Sequence, residues 1–424
     1  MRKLLLVLLV FALVKSSEAQ ILKRIADRAK QKMEQKVDEK VDKSIDKQLD
    51  GKDGTKAKAD DNNDAVQTKN TDSKENGSET VTALAYTSKY DFIQGEKVVA
   101  YEDFNNEAIG EFPKRWNTNG NAEVVTNNLK EGKWLKISTE GKFLPEFITD
   151  IPENSTLEFD LGVNNNFDWG NNNIHFYITH FDNRAKFYDY NPNPKLHFEM
   201  HPIRGKEYTG QIDYASETTD GTMRNNGYAP HWDNKKNLFA HVSIWRQGQR
   251  IRLYVNGDKA FDIPRAYQAG AKYDALLFET NGFQSNKQDY WLLGNIRVAA
   301  GAPDTRNKLI TEGKFVTSGI LFDVNSDKIK PESNGVLKEI ASVLSENPSI
   351  KVKIIGHTDA DGDATKNLDL SKRRAASVKT ALSTDFSIEA SRMDTDGMGA
   401  TKPVADNKTT EGKAQNRRVE FIKN

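Results

Sequence analysis

The chain contains no cysteine. That excludes a disulfide framework, a thiolate zinc site, a cysteine nucleophile and a lipid-modified N-terminal cysteine. It also lacks an excess of either charge, with 61 Lys+Arg against 61 Asp+Glu. A nucleic-acid binder would show a basic surplus, so that class is set aside. Beyond the first twenty residues no apolar run approaches the roughly 20 residues needed to cross a bilayer, and no transmembrane helix is expected. What remains is a polar chain of 424 residues, long enough for two or three domains.

The N-terminus carries an address. Two positive charges in Met1–Lys3 precede the apolar run Leu4–Val14, and Ser17-Glu18-Ala19 places small residues at a cleavage site. This is the pattern of a secretory signal peptide, here residues 1–19, with a mature chain beginning at Gln20. Residues 20–50 follow as a charged stalk in which Met33, Val37, Val41, Ile45 and Leu49 recur every fourth residue. That spacing predicts a helix, yet the stripe drifts around it and makes a poor coiled-coil seam. A single solvated helix is the favoured reading, beside an oligomerising or a membrane-surface one. Residues 51–84 are almost devoid of large apolar side chains and read as a disordered linker. As a coil it would span roughly 30 Å. The acidic run at 60–64 lacks the glycine and distal glutamate of a calcium loop.

Residues 85–301 show short alternating segments, among them Leu157–Leu161, Ile174–Ile178, Leu196–Met200 and Ile251–Val255. Period-two alternation with aromatic and β-branched enrichment predicts an antiparallel β-sandwich. The stretch HVSIWRQGQRIRLYVNGDKAFDIP (241–264) resembles the hairpin of laminin-G and concanavalin A-like domains, and the resemblance implies that fold. Glycoside hydrolases of that fold carry Glu-x-Asp-x-x-Glu. Here Glu158 and Asp160 begin the pattern but Val163 ends it, so an obligatory carboxylate is missing. The polar, solvated face of a strand accounts for both acids. His197, Glu199 and His201 alternate on one strand face, where a zinc ion could sit, but they lack the helical HExxH arrangement and a wet strand face is the better account. Trp169, Trp232 and Tyr228 lie in Asn/Gly-rich loops and could stack on sugar rings.

The last hundred residues alternate differently. Gly319–Phe322, Lys351–Gly356 and Arg417–Ile422 read as strands, with helices at Val336–Leu344 and Asn367–Leu382 between them. This predicts an α/β domain at 315–424, a βαβαβ-type sheet with its helices on one face.

The segment GHTDADGDATKNLDLSKRRAASV (356–378) resembles the OmpA C-terminal family of peptidoglycan-associated domains, as do Phe322-Asp323-Val324-Asn325 and the closing stretch 397–421. One departure is Lys413, where the family commonly has arginine; it touches pairing more than ligand chemistry. The resemblance implies a peptidoglycan ligand, and the diaminopimelate of its stem peptides carries an ammonium and a carboxylate on one carbon. Such a zwitterion needs one fixed anion and one planar cationic fork. Asp359 at a strand end can accept from the ammonium, and Arg374 on the next helix can grip the carboxylate, with mutual attraction keeping the two poised. Thr358, Asn325, Asn367 and Arg417 match family positions that complete the pocket. Arg373 reads as a solvated helix residue. With His357 the lone histidine of this region, no catalytic group, metal or cofactor is expected there.

Together these readings describe an exported, non-enzymatic envelope protein of the periplasm, associated with the outer membrane, that binds peptidoglycan. The sandwich would contact a glycan or another envelope protein. The alternative is a wall-tethered glycan-binding protein or glycoside hydrolase that uses the sandwich.

Overall fold

The computed structural model describes residues 91–164, 167, 173–189, 192–202, 210–229, 232, 237–282, 289–301 and 305–424. The signal peptide, the stalk and the linker expected from the sequence lie outside these residues, as does Trp169. Among the described residues no helix is long and apolar enough to cross a membrane.

The alternating segments of the middle region form β1 (Lys97–Glu102), β2 (Trp116–Thr118), β3 (Ala122–Thr126), β4 (Lys133–Ile137), β5 (Gly141–Pro145), β6 (Asn154–Val163), β7 (Ile174–Thr179) and β8 (Lys195–His201). They continue with β9 (Gly210–Thr218), β10 (Gly221–Ala229), β11 (Phe239–Gln247), β12 (Arg250–Val255), β13 (Asp258–Ile263), β14 (Ala275–Thr280) and β15 (Trp291–Ala300). One sheet runs β13-β12-β11-β6-β15-β4-β3 with β1 also on β15, and the other runs β10-β9-β8-β7-β14-β5-β2. Every pairing in both is antiparallel. Apart from β10, of which only Ala229 is buried, the strands send their inward-facing residues into one core, where Phe159 of β6 packs edge-on against Phe176 of β7 and Phe278 of β14. The Asn-Gly step between β12 and β13 is a tight hairpin with φ of 49° and 90°, the left-handed pair that such a turn needs.

The central strand β6 is buried on both faces from Ser155 to Val163. Its outer face is covered because the segment before β1 crosses it. Phe92 packs against Trp245 and Tyr254, and Gln94 donates to Glu158 at 2.6 Å. Glu158 and Asp160 are therefore not on a solvated face, as expected above, but 1% and 3% exposed.

The C-terminal region adds α1 (Thr305–Ile310), β16 (Lys314–Thr317), α2 (Asn334–Glu346), β17 (Val352–His357), α3 (Ala364–Thr384), β18 (Met393–Gly399), α4 (Thr410–Asn416) and β19 (Val419–Lys423). Its sheet order is β16-β19-β17-β18, antiparallel except for the β17/β18 pair. Val352 and Ile354 of β17 share a core with α2 and α3, which puts these helices on one face as expected. Two details differ from the expectation. The first strand lies at Lys314–Thr317 rather than 319–322, and β18 was not anticipated. Gly356 permits the close approach of α3, since a Cβ there would meet the Ser371 carbonyl oxygen at 2.2 Å.

Candidate functional site

The loop from β17 to α3 is built by its own polar residues. The Thr358 amide donates to the Gly399 carbonyl at 3.0 Å, pinning the strand exit against β18. Asp359 Oδ1 accepts from the Asp361 amide at 3.1 Å, an Asx-type turn, and Gly362 takes φ 85°. Asp363 then caps α3 by accepting from the Lys366 amide at 2.9 Å. Asn367 Nδ2 reaches back to the Asp361 carbonyl at 2.8 Å, and Thr358 Oγ1 donates to the Asp359 carbonyl at 2.8 Å. Asn367 and Thr358 thus shape the loop that presents Asp359. Lys413 pairs with Asp361 at 2.8 Å and closes the loop from the α4 side.

Asp359 and Arg374 form no direct ion pair; the expected attraction acts only at longer range, the Asp359 charge favouring the Arg374 cation. Asp359 Oδ2 is held by Arg417 Nη1 at 2.6 Å. Arg374 lies 4.8 Å over the Phe322 ring and donates from Nε to the Ser326 carbonyl at 2.9 Å. That carbonyl belongs to a turn in which Asn325 adopts φ 52°. Burial, and then the neighbouring charge of Arg417, lower Arg374 to about 10. The terminal nitrogens of Arg374 have no hydrogen-bond partner among the described residues, so its fork is available to an anion. Arg373 points elsewhere, pairing with Asp369 at 2.9 Å and Asp327 at 2.7 Å.

Sequence reasoning missed two residues of this site. Arg417 stands 5.1 Å over the ring of Tyr101, and its Nη2 is 3.9 Å from Asp103 Oδ2. Both belong to β1 and its exit, more than 300 residues away in the chain, and no local motif marks them. Burial disfavours the Arg417 charge, but Tyr101, Asp103 and Asp359 outweigh it and raise its pKa.

Arg374 and Arg417 also line a cavity of about 120 Å³ whose opposite wall is the sandwich, with Asp160, His241, Asn295 and Arg297. His241 Nδ1 is 2.6 Å from Asp160 Oδ1 and its Nε2 is 3.4 Å from Glu158 Oε2. Burial opposes a charged imidazole, yet the two carboxylates raise His241 to about 10. Arg297 adds a 3.1 Å contact to Glu158, and Asn295 donates to Asp160 at 2.7 Å. Among the described residues, Asp160, His241 and Glu332 are the one group of three whose ligand atoms converge enough for a metal. Lys130, Lys330, Arg297 and the imidazolium already balance these acids, so an ion-pair network accounts for them. Glu158 and Asp160 are locked in it, and Val163 is in the core, which leaves no glycosidase pair on β6. His357 is buried beside Arg418 and Glu420, lowered to about 4 by burial and then by the Arg418 charge.

On the outer face of the second sheet, His197 stacks on Tyr177 at 4.5 Å between centroids and its Nε2 is 3.0 Å from His175 Nδ1. His197, Glu199, Asp213, Arg224, Asn225 and Asn226 line a groove of about 440 Å³. His201 is buried and Trp232 is fully so, which removes Trp232 from any sugar-stacking role; Tyr228 is exposed.

The geometry defines a class: a small α/β module with an acid–arginine loop at a strand end, fused to a β-sandwich. By this module the chain belongs to the OmpA family, whose model matches residues 321–417. The chain is 46% identical over 104 residues to the probable lipoprotein YiaD of Escherichia coli, covering 24% of this chain and 47% of that protein. It is 36% identical over 107 residues to the putative lipoprotein YfiB of Escherichia coli, covering 25% of this chain and 67% of that protein. A solved structure, the peptidoglycan-associated lipoprotein from Burkholderia pseudomallei, aligns at 27% identity and a TM-score of 0.25, covering 28% of this chain and all of that one. The chain thus spans about half of the first relative and about two thirds of the second.

Proposed function

We propose that this protein is a non-enzymatic component of the cell envelope that binds peptidoglycan through its C-terminal domain, residues 315–424. The observation that carries the reading is the juxtaposition of Asp359, Arg417 and the open fork of Arg374 on the loop side of the family domain. One anion and one planar cation at a strand end suit the ammonium and carboxylate of a diaminopimelate centre. Asp359 would accept from the ammonium and Arg374 would bind the carboxylate. Arg417, Thr358 and Asn367 would hold Asp359 and its loop, and Asn325 would border the pocket. The relatives are named as lipoproteins and outer membrane proteins, which supports a place in the periplasm at the outer membrane. The 85–301 region is read as a concanavalin A-like sandwich, supported by the β11–β12–β13 succession and its Asn-Gly turn.

A polysaccharide-binding role for the sandwich is the second reading, favoured by the open groove beside His197, Glu199 and Arg224. The primary reading is tested by co-sedimenting the full chain with purified sacculi. The expected result is that it pellets and is released by excess free diaminopimelate-containing stem peptide. A chain that stays in the supernatant, or that pellets without competition by the peptide, overturns the reading.

A further inference from the structure

We infer that the β-sandwich completes the wall-binding site, with Asp103 as a second carboxylate for the ligand's ammonium and Tyr101 as the platform that sets Arg417. The inference rests on the peptidoglycan reading above and assigns part of the recognition to residues outside the family domain.

Two sets of contacts fix β1 against this site. Gln415 on α4 accepts from the Val98 amide at 2.8 Å and donates to the Glu96 carbonyl at 3.1 Å, while Arg115 pairs with Glu411 at 2.5 Å. Arg417, the residue that follows α4, is thereby held over Tyr101. Its guanidinium then faces two carboxylates, Asp359 at 2.6 Å and Asp103 at 3.9 Å, one from each domain. Asp103 is close enough to shape the potential there and too far to consume a hydrogen bond of Arg417.

The cavity beside the two arginines makes the same point from the other side. Its volume of about 120 Å³ is roughly that of four water molecules, the scale of an amino-acid head group. Among the residues lining this space, His241 Nε2 and His357 Nε2 each stand 3.4 Å from a carboxylate, Glu158 and Glu420, whereas Arg374 donates only its Nε, to the Ser326 carbonyl. An open guanidinium fork in a walled, polar cavity calls for an anionic occupant. A zwitterionic centre fits at the mouth of this space: its carboxylate meets the open fork of Arg374, and its ammonium reaches past Arg417 to Asp359 and Asp103, which flank that arginine outside the cavity lining. The sandwich then selects for a free ammonium, since a capped amine gains nothing from the second carboxylate.

The test is calorimetric titration of the full chain with two peptides. One is a diaminopimelate-containing stem tripeptide, and the other is the same peptide with its side-chain amine acetylated. The expected result is that Asp103→Asn, which keeps the shape of the side chain, loses about tenfold in affinity for the free-amine peptide. Its affinity for the acetylated peptide should match the parent's, a selectivity change that a purely structural role would not produce. Tyr101→Leu should weaken both. If Asp103→Asn binds both peptides like the parent while Asp359→Ala loses binding, the composite site is overturned and the wall reading stands. If Asp359→Ala also binds like the parent, or the parent binds neither peptide, both are overturned.

Discussion

Asp359→Ala and Arg374→Ala should each reduce the affinity of the full chain for sacculi by about thirtyfold to several-thousandfold. Removing one partner of a desolvated charged contact costs roughly 2–5 kcal/mol. For Asp359 the loss is twofold in kind, because the ligand's ammonium loses its anion and Arg417 loses its 2.6 Å partner. Arg374 is already partly desolvated on Phe322, so its replacement leaves a bound carboxylate facing an apolar ring. Arg374→Lys should fail as well, since a point ammonium cannot reproduce the fork while also serving the Ser326 carbonyl. Arg373→Ala is the control: its partners are the exposed Asp369 and Asp327, and binding should be unchanged. Co-sedimentation across a concentration series measures all four, with circular dichroism establishing that each variant is folded.

His241→Ala should destabilise the fold by about 3–5 kcal/mol, because it strands Asp160 and Glu158 without the imidazolium between them. The effect should depend on pH in a defined direction. His241 is raised from 6.5 to about 10 in the folded chain, so its stabilising contribution is complete below pH 6.5 and is lost as pH rises through about 10. Neighbouring Arg297, Lys130 and Lys330 keep the two carboxylates ionised throughout that window. Parent and variant should therefore differ most near pH 6 in chemical denaturation and converge above pH 10. A difference that is constant with pH would mean that His241 is neutral and merely packed.

The sequence made some elements legible and hid others for physical reasons. The strand Val352–His357 and the helix Ala364–Thr384 stood out because apolar periodicity and turn residues agree there. Strand β18 was hidden because the face that MDTDGMG buries is made of Met393 and two glycines, Gly397 and Gly399, which carry no apolar alternation. The β16 strand was displaced because Gly319–Phe322 is apolar yet lies mostly in irregular backbone, with only Phe322 bridged to Ile329. In the site, Asp359, Arg374 and Arg417 were readable from the motif. Their pairing was not, since spacing along a helix does not say which arginine reaches the acid. Glu158 and Asp160 show the same limit in the sandwich. Alternation placed them correctly on the outer face, but only tertiary structure shows that Gln94, His241 and Arg297 cover it.

The central claim, that a stem-peptide centre is held between Asp359 and Arg374, is tested most directly by following backbone amide NMR shifts of the deuterated full chain during titration with a diaminopimelate-containing stem peptide. The account predicts saturable shifts concentrated at Thr358–Asn367, Ser326, Arg374 and Arg417. Shifts confined to the groove around His197 and Asp213, or none at all at saturating peptide, would contradict it.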